Sequence, residues 1–265
     1  MTNRTLQALT LSLSALALAA SASAATPAAS NHPTVVLVHG AFADSSSWNS
    51  VASELREKGY PVVAVANPLR GVASDSRYAA SVIDGIQGPI VLVGHSYGGA
   101  IISNAAVGKA QVKALVYVAA FAPEKGESVV ELAGKFPGST LGDALAQPVP
   151  LPDGGVDLYI QQDKFRGQFA ADVGAKEAGL MAVGQRPIAE AALKEANQGT
   201  AWKSIPSYFV YGTGDKNIPK AALAWMAERA QSKGTFEIAN ASHVPMVSHA
   251  HEVTRVIETA ARSVR

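Results

Sequence analysis

From residue 34 onward, short apolar runs alternate with longer segments in which apolar residues recur every third or fourth position. The runs 34–38, 60–66, 89–93, 113–121, 207–211 and 235–238 are rich in Val and Ile. Near-continuous apolarity is what a strand needs when both of its faces are covered. The segments 46–58, 75–86, 97–107, 220–232 and 250–263 carry helical periodicity. This alternation predicts an α/β architecture, a doubly wound and mostly parallel sheet with helices on both faces.

One interval breaks the rhythm. Between Phe121 and Ile205 no run reads as a strand. Turns rich in Gly and Pro lie at 136–138 and 147–155, and the stretches 157–171 and 175–196 look helical. A structureless loop of that length is uncommon inside a domain, so residues 122–205 predict an inserted helical lid over the sheet. Phe136, Phe165, Phe169, Leu180, Met181 and Trp202 are spread along it. Some are expected to line a cavity beneath the lid. The alternative is that they only hold the lid together.

The amino end has a different character. Arg4 precedes an apolar run, 9–20, interrupted only by Ser12 and Ser14, and Ala22-Ser23-Ala24 follows. A short apolar run closed by small residues reads as a secretory signal peptide over residues 1–24. A membrane anchor is the alternative, but the run is short for a bilayer. The reading places a flexible mature N-terminus at 25–33 and one domain at 34–265. It also predicts export to the periplasm or the medium.

Composition narrows the partners. The chain has 265 residues, 48% hydrophobic and 16% charged, which is a globular composition. Removing Arg4 takes the 22 Lys and Arg residues to 21, equal to the 21 Asp and Glu residues. With no basic cluster, nucleic acid is not expected as a partner, nor is stable association with a membrane. The absence of cysteine excludes disulfides, thiolate metal sites and a cysteine nucleophile. Nothing in the pattern speaks to oligomeric state.

The strongest chemical signal is Gly94-His95-Ser96-Tyr97-Gly98, followed by Gly99. It fits G-x-S-x-G and lies between a predicted strand and a predicted helix. That is the context of a nucleophile elbow, a strained turn that lifts the serine hydroxyl clear of the sheet edge. A serine hydroxyl needs a base, and the base an orienting carboxylate, following the serine in the order acid then histidine. Of the six histidines, only His243 lies between the last strand and the last helix. Asp215, directly after the strand at 207–211, is the preferred acid, and Glu124, after the strand at 113–121, is its competitor. The loop His39-Gly40-Ala41-Phe42 offers an oxyanion donor at Ala41 to join the Tyr97 amide. Phe42 is the fallback donor, and its ring is a candidate substrate contact. His249 and His251 sit two apart, which on a helix gives no shared face for a metal. No nucleotide-binding fingerprint is present.

Four blocks carry a resemblance: Val38-His39-Gly40-Ala41-Phe42, residues 94–99, Gly214-Asp215-Lys216-Asn217-Ile218-Pro219 and Ala241-Ser242-His243. Together they resemble the α/β-hydrolases that include plant methylesterases and hydroxynitrile lyases, with bacterial esterase-like relatives. The resemblance spans nearly the whole chain from Thr34. It implies a Ser96–His243–Asp215 triad, a helical cap and no cofactor, and the histidine spacing gives no expectation of a metal. The lyase members carry a lysine directly after the catalytic histidine, where this chain has Val244. That departure turns the expectation toward hydrolysis of small or medium carboxylic esters. A lipase and a cofactor-free perhydrolase or hydroxynitrile-lyase-like activity are the enzymatic alternatives, and a ligand-binding protein on a hydrolase scaffold is the non-enzymatic one.

Overall fold

The computed structural model describes residues 32–264. The expected signal peptide and nearly all of the expected N-terminal tail lie outside the described residues. In chain order the strands are β1 (Thr34–Val38), β2 (Val62–Val65), β3 (Ile90–His95), β4 (Val112–Val118), β5 (Val149–Pro150), β6 (Val156–Leu158), β7 (Ile188–Ala189), β8 (Ser207–Gly212) and β9 (Gly234–Ile238). The helices are α1 (Asn49–Glu57), α2 (Val72–Asp84), α3 (Gly98–Ala105), α4 (Val129–Gly134), α5 (Leu141–Ala144), α6 (Gln162–Phe169), α7 (Ala175–Gly184), α8 (Glu190–Lys194), α9 (Lys220–Arg229), α10 (Pro245–Ser248) and α11 (Ala250–Arg262).

Six strands form one sheet in the order β2-β1-β3-β4-β8-β9, and every pairing in it is parallel. All six coincide with the predicted apolar runs. The central strands show why the runs are unbroken: β3 and β8 are buried at every position. Each fully buried Val, Leu or Ile contributes about 1.5–3 kcal/mol of transfer free energy. Edge strand β9 is exposed at its three middle residues, as an edge allows. Helix α11 shows the complementary logic. Its Val253, Val256, Ile257, Ala260 and Ala261 are buried and recur at helical spacing, so one face packs on the sheet.

The chain order reverses beside β1. From β1 it goes outward to β2 and then returns to β3 on the other side. Loops after the carboxyl ends of β1 and β3 therefore face each other across a crevice, the usual place for a ligand in such sheets.

The interval between β4 and β8 departs from the prediction of a purely helical lid. It holds α4 to α8, but also a three-stranded antiparallel sheet, β5-β6-β7. The stretch predicted as helical at 157–171 begins as strand β6, and the stretch at 175–196 is broken by β7. These strands are two or three residues long. A strand that short cannot display a period of two, so pattern reading passes over it. The insertion is tied to the body by Arg70, whose Nη1 meets Asp157 Oδ1 at 2.6 Å and whose Nη2 donates to the Pro187 carbonyl at 2.9 Å. The Ala189 N–H also donates to the Leu69 carbonyl (3.0 Å).

Close backbone packing at the carboxyl edge gives a stability test. A Cβ added at Gly212, the end of β8, would lie 2.0 Å from the Ala241 carbonyl oxygen, and backbone cannot rotate away. At Gly179, on the exposed surface of α7, an added Cβ meets nothing within 4 Å. Gly212→Ala is expected to cost at least about 1–3 kcal/mol, lowering Tm by roughly 2–12 °C in a domain of this size. Gly179→Ala is expected to stabilise by about 0.5–1 kcal/mol. Thermal unfolding followed by circular dichroism checks both. A Gly212→Ala protein as stable as the parent would contradict this packing.

Candidate active site

Strand β3 ends at His95, and the next residue, Ser96, adopts φ +53°. That is the left-handed region, which costs a non-glycine residue about 1–3 kcal/mol and persists only when neighbours enforce it. Here they do. Ser96 N–H donates to the Val118 carbonyl (3.2 Å), and its own carbonyl accepts from Gly99 N–H (3.0 Å) and Phe121 N–H (3.1 Å). Gly99 is needed because a Cβ there would meet the Phe121 carbonyl oxygen at 2.2 Å. The turn delivers Ser96 Oγ into a crevice while the residue stays 7% exposed.

Ser96 Oγ lies 2.9 Å from His243 Nε2, and His243 Nδ1 lies 2.7 Å from Asp215 Oδ2. A carboxylate can only accept, so Nδ1 carries the proton and Nε2 is left as acceptor for the serine hydroxyl. Asp215 Oδ1 is occupied separately, accepting from the backbone N–H groups of Asn217 (2.8 Å) and Ile218 (3.0 Å). The carboxylate is thus buried with its lone pairs satisfied, as burial of a charge requires. Glu124, the competing acid, is elsewhere. It pairs with Lys203 at 2.6 Å, and that ammonium holds its carboxyl below the usual range.

The loop after β1 folds directly over the elbow: a Cβ at Gly40 would lie 2.6 Å from Ser96 Cβ. The backbone N–H groups of Ala41 and Tyr97 have no hydrogen-bond partner among the described residues, and both residues border the crevice. Phe42, the fallback donor, is spoken for. It sits at φ +61° and its N–H donates to the Arg186 carbonyl at 2.9 Å. Its ring does line the crevice and meets Phe169 edge-on.

Two supporting contacts escaped the sequence reading. Asn67 N–H donates to His39 Nε2 (3.0 Å) and Asn67 Nδ2 to the His39 carbonyl (2.9 Å), which leaves His39 Nδ1–H to donate to the Gly40 carbonyl (3.0 Å). Tyr97 Oη–H donates to Asp75 Oδ2 (3.0 Å), and both Asp75 oxygens accept from Arg70 N–H (3.2 and 3.1 Å). Burial pushes the Asp75 carboxyl up and the Tyr97 phenol up strongly. In sequence, Asp75 looks like an ordinary acidic residue in a first helical turn, so no local signal marks it.

The crevice opens into a cavity of about 300 Å³ beneath the insertion. Its walls include Val129, Ala133, Leu141, Leu145, Leu158 and Leu193. Some of the six large side chains of the insertion were expected to line it, and none is among its walls. Phe165 and Phe169 are fully buried in the seam between insertion and body, with the Phe169 ring 5.2 Å from that of His243. Trp202 donates its indole N–H to the Pro123 carbonyl (3.0 Å), and Phe136 packs against Trp225. Leu180 and Met181 border a separate cleft on the far side of Phe42. The largest side chains carry the most apolar area to hide, so most of them fill seams while medium-sized ones form the walls.

The remaining histidines have other settings. His249 pairs with Asp172 (3.3 Å) and His251 with Glu54 (3.5 Å), so the two do not converge. His95 is fully buried beneath His243. Its Nε2–H donates to the His243 carbonyl (2.9 Å), and its Nδ1 is sealed without a partner. Burial lowers the pKa of His39 and lowers that of His95 further.

This has a stability consequence with a definite sign. An unfolded chain takes up protons at these histidines near pH 6.5, while the folded chain resists them. Their contribution is therefore full above about pH 6.5 and is lost as pH falls below it, by up to about 1.4 kcal/mol per pH unit for each histidine. Urea unfolding midpoints measured between pH 8 and 5 are expected to fall. His95→Asn is expected to be less stable at pH 8 yet to decline more shallowly. Asp75 acts in the opposite sense but is common to both proteins. Parallel declines would mean that His95 is not a source of the slope.

A model of the alpha/beta hydrolase family matches residues 35–256. "Alpha/beta hydrolase nvfD" of Aspergillus novofumigatus is 27% identical, over 86% of this chain and 96% of its own length. "Methylesterase 9" of Arabidopsis thaliana is 25% identical, over 82% of this chain and 94% of its own. The crystal structure of polyneuridine aldehyde esterase superposes with a TM-score of 0.75 at 20% identity, covering 86% of this chain and 98% of that one. The parallel sheet, the strained serine turn and the length of the match agree, and the chain belongs to the alpha/beta hydrolase family.

Proposed function

We propose that the protein hydrolyses small or medium carboxylic esters with apolar groups, through a Ser96–His243–Asp215 triad. The observation that carries this reading is His243, poised between Ser96 Oγ at 2.9 Å and Asp215 Oδ2 at 2.7 Å. His243 Nε2 takes the hydroxyl proton as Ser96 Oγ attacks the ester carbonyl. Asp215 keeps the imidazole in the reactive tautomer and stabilises the cation that forms. The Ala41 and Tyr97 amides receive the developing oxyanion, where one such donor contributes about 3–4 kcal/mol. His243 then returns the proton to the leaving alkoxide, the alcohol departs, and an acyl-serine remains. Water activated by the same imidazole hydrolyses it to the free acid and restores Ser96.

Relatives named as methylesterases support the reaction class. The mostly apolar cavity supports an apolar acyl or alkyl group. We also propose that residues 1–24 direct export.

Treatment with a fluorophosphonate followed by peptide mass spectrometry is expected to place the adduct on Ser96. An adduct elsewhere, or none, overturns the nucleophile. The acid is tested separately with p-nitrophenyl butyrate. Asp215→Asn is expected to lower kcat by roughly three to four orders of magnitude, as loss of the orienting carboxylate does in other triads. Glu124→Gln is expected to stay within a few-fold of the parent. The reverse order of damage would move the acid to the loop after β4.

A further inference from the structure

Asn217 follows two residues after Asp215, is 4% exposed and borders the cavity that holds Ser96 and His243. Two of its polar groups have structural work. Its backbone N–H donates to Asp215 Oδ1, and its Oδ1 accepts from Gln168 Nε2 at 2.8 Å. The orientation of both amides follows from the bonds around them. Gln168 Nε2 also lies 3.0 Å from the Lys216 carbonyl, which can only accept, and Gln168 Oε1 receives the Thr140 hydroxyl at 2.8 Å. Gln168 therefore presents N–H to Asn217, and Asn217 answers with its oxygen. That leaves Nδ2 as the free end. It has no partner among the described residues, and it is not among the polar atoms sealed from solvent.

A nearly buried amide whose two N–H donors lack a protein partner among the described residues but reach solvent, beside a mostly apolar wall, is placed to donate to a ligand that displaces that solvent. On the wall Leu141, Leu145 and Ile218 offer no acceptor side chain, and the polar wall residues Ser139 and Glu190 make their bonds to Leu141 N–H and Lys194 rather than to Nδ2. The reacting carbonyl oxygen does not need this donor, because the proposed oxyanion amides come from the loops after β1 and β3. Asn217 stands on the loop after β8, on the side of the acid.

We propose that Asn217 Nδ2 is a substrate-binding donor, and that the substrate is an apolar ester bearing a second acceptor oxygen, a ketone or ether, apart from the scissile carbonyl. This rests on the hydrolase reading above. Gln168 acts through Asn217 and is a positioning residue: by occupying Oδ1 it leaves Nδ2 as the end free to meet a ligand. A site built to satisfy a donor discriminates against analogues that lack the acceptor, since the donor is then left buried and unpaired.

The test uses two pairs of esters, each differing by one oxygen in place of a methylene. On the acyl side these are ethyl 4-oxopentanoate and ethyl pentanoate. On the alcohol side they are 2-methoxyethyl butanoate and butyl butanoate. The quantity read is the kcat/KM ratio within each pair, acceptor-bearing over plain, for the full chain and for Asn217→Leu. The ratio is expected to fall roughly tenfold in the variant for at least one pair. Asn217→Asp keeps the shape, replaces the donor with an acceptor and is expected to lower the same ratio at least as far, which covers the case in which the leucine variant does not fold. Gln168→Leu is expected to give a smaller fall in that ratio. Ratios unchanged in the folded Asn217 variants overturn the proposal. So does an equal loss for both members of each pair, which would put Nδ2 on the ester itself. If the parent protein turns over none of the four esters and takes no fluorophosphonate, the hydrolase reading fails, and the subsite fails with it.

Discussion

The site depends on one steric constraint, the contact of backbone with backbone where the strands end. Ser96 can hold a left-handed turn only because the chain around it leaves no alternative. Gly99 lies against the Phe121 carbonyl, and Gly40 lies against Ser96 itself. The loops that follow β8 and β9 meet as tightly, with Gly212 against Ala241. These contacts bring the ends of four parallel strands, β1, β3, β8 and β9, close enough for Ser96, His243 and Asp215 to form one chain of hydrogen bonds. Parallel strands covered on both faces have little freedom to shift, so the rigidity of the sheet passes directly to the loops.

The hydrogen-bonded polar groups and the cavity wall are drawn from different segments. The loops after the sheet strands supply the hydroxyl, the imidazole, the carboxylate and the unpaired amides. The insertion between β4 and β8 supplies Val129, Leu141, Leu145, Leu158 and Leu193 to the cavity wall. None of these wall side chains bonds to Ser96, His243 or Asp215, so they can change shape and size with less effect on the geometry there than Phe169, whose ring packs on that of His243. The Arg70–Asp157 pair and the Gln168 bridge hold the two parts in register. Beside the acid they are joined by Gln168, by the Thr140 N–H on the Lys216 carbonyl and by Lys216 Nζ on the Gly167 carbonyl, and of these Gln168 is the one that bonds the Asn217 side chain.

The parallel sheet was readable because burial on both faces forces an unbroken apolar run, and such runs are visible without knowing any neighbour. That Ser96, Asp215 and His243 would meet was readable because each belongs to a turn whose place between strand and helix is itself legible. The insertion was not readable in the same way. Strands of two or three residues have no period, and Phe165 and Phe169 look the same in sequence whether they line a cavity or fill a seam. Asp75, Asn67 and Gln168 were missed for a further reason. Each acts through a partner 22 to 49 residues away, and nothing in the neighbouring sequence anticipates that partner.

Two buried carboxylates flank the serine, and their surroundings separate their roles. Asp215 faces an imidazole through one oxygen while two backbone N–H groups fill the other. Asp75 faces no base. It receives the Tyr97 hydroxyl and the Arg70 backbone N–H, with burial raising its carboxyl. The first arrangement can answer a change of charge on a neighbour, because an imidazole that gains a proton remains bound to the carboxylate. The second has no neighbour that changes charge near neutral pH, so it can only fix position. What it fixes is Tyr97, whose backbone N–H has no partner among the described residues and which borders the crevice next to Ser96. Two acids of the same kind thus divide the demands of the proposed reaction: one meets the charge that moves, and the other holds still the donor that must meet it.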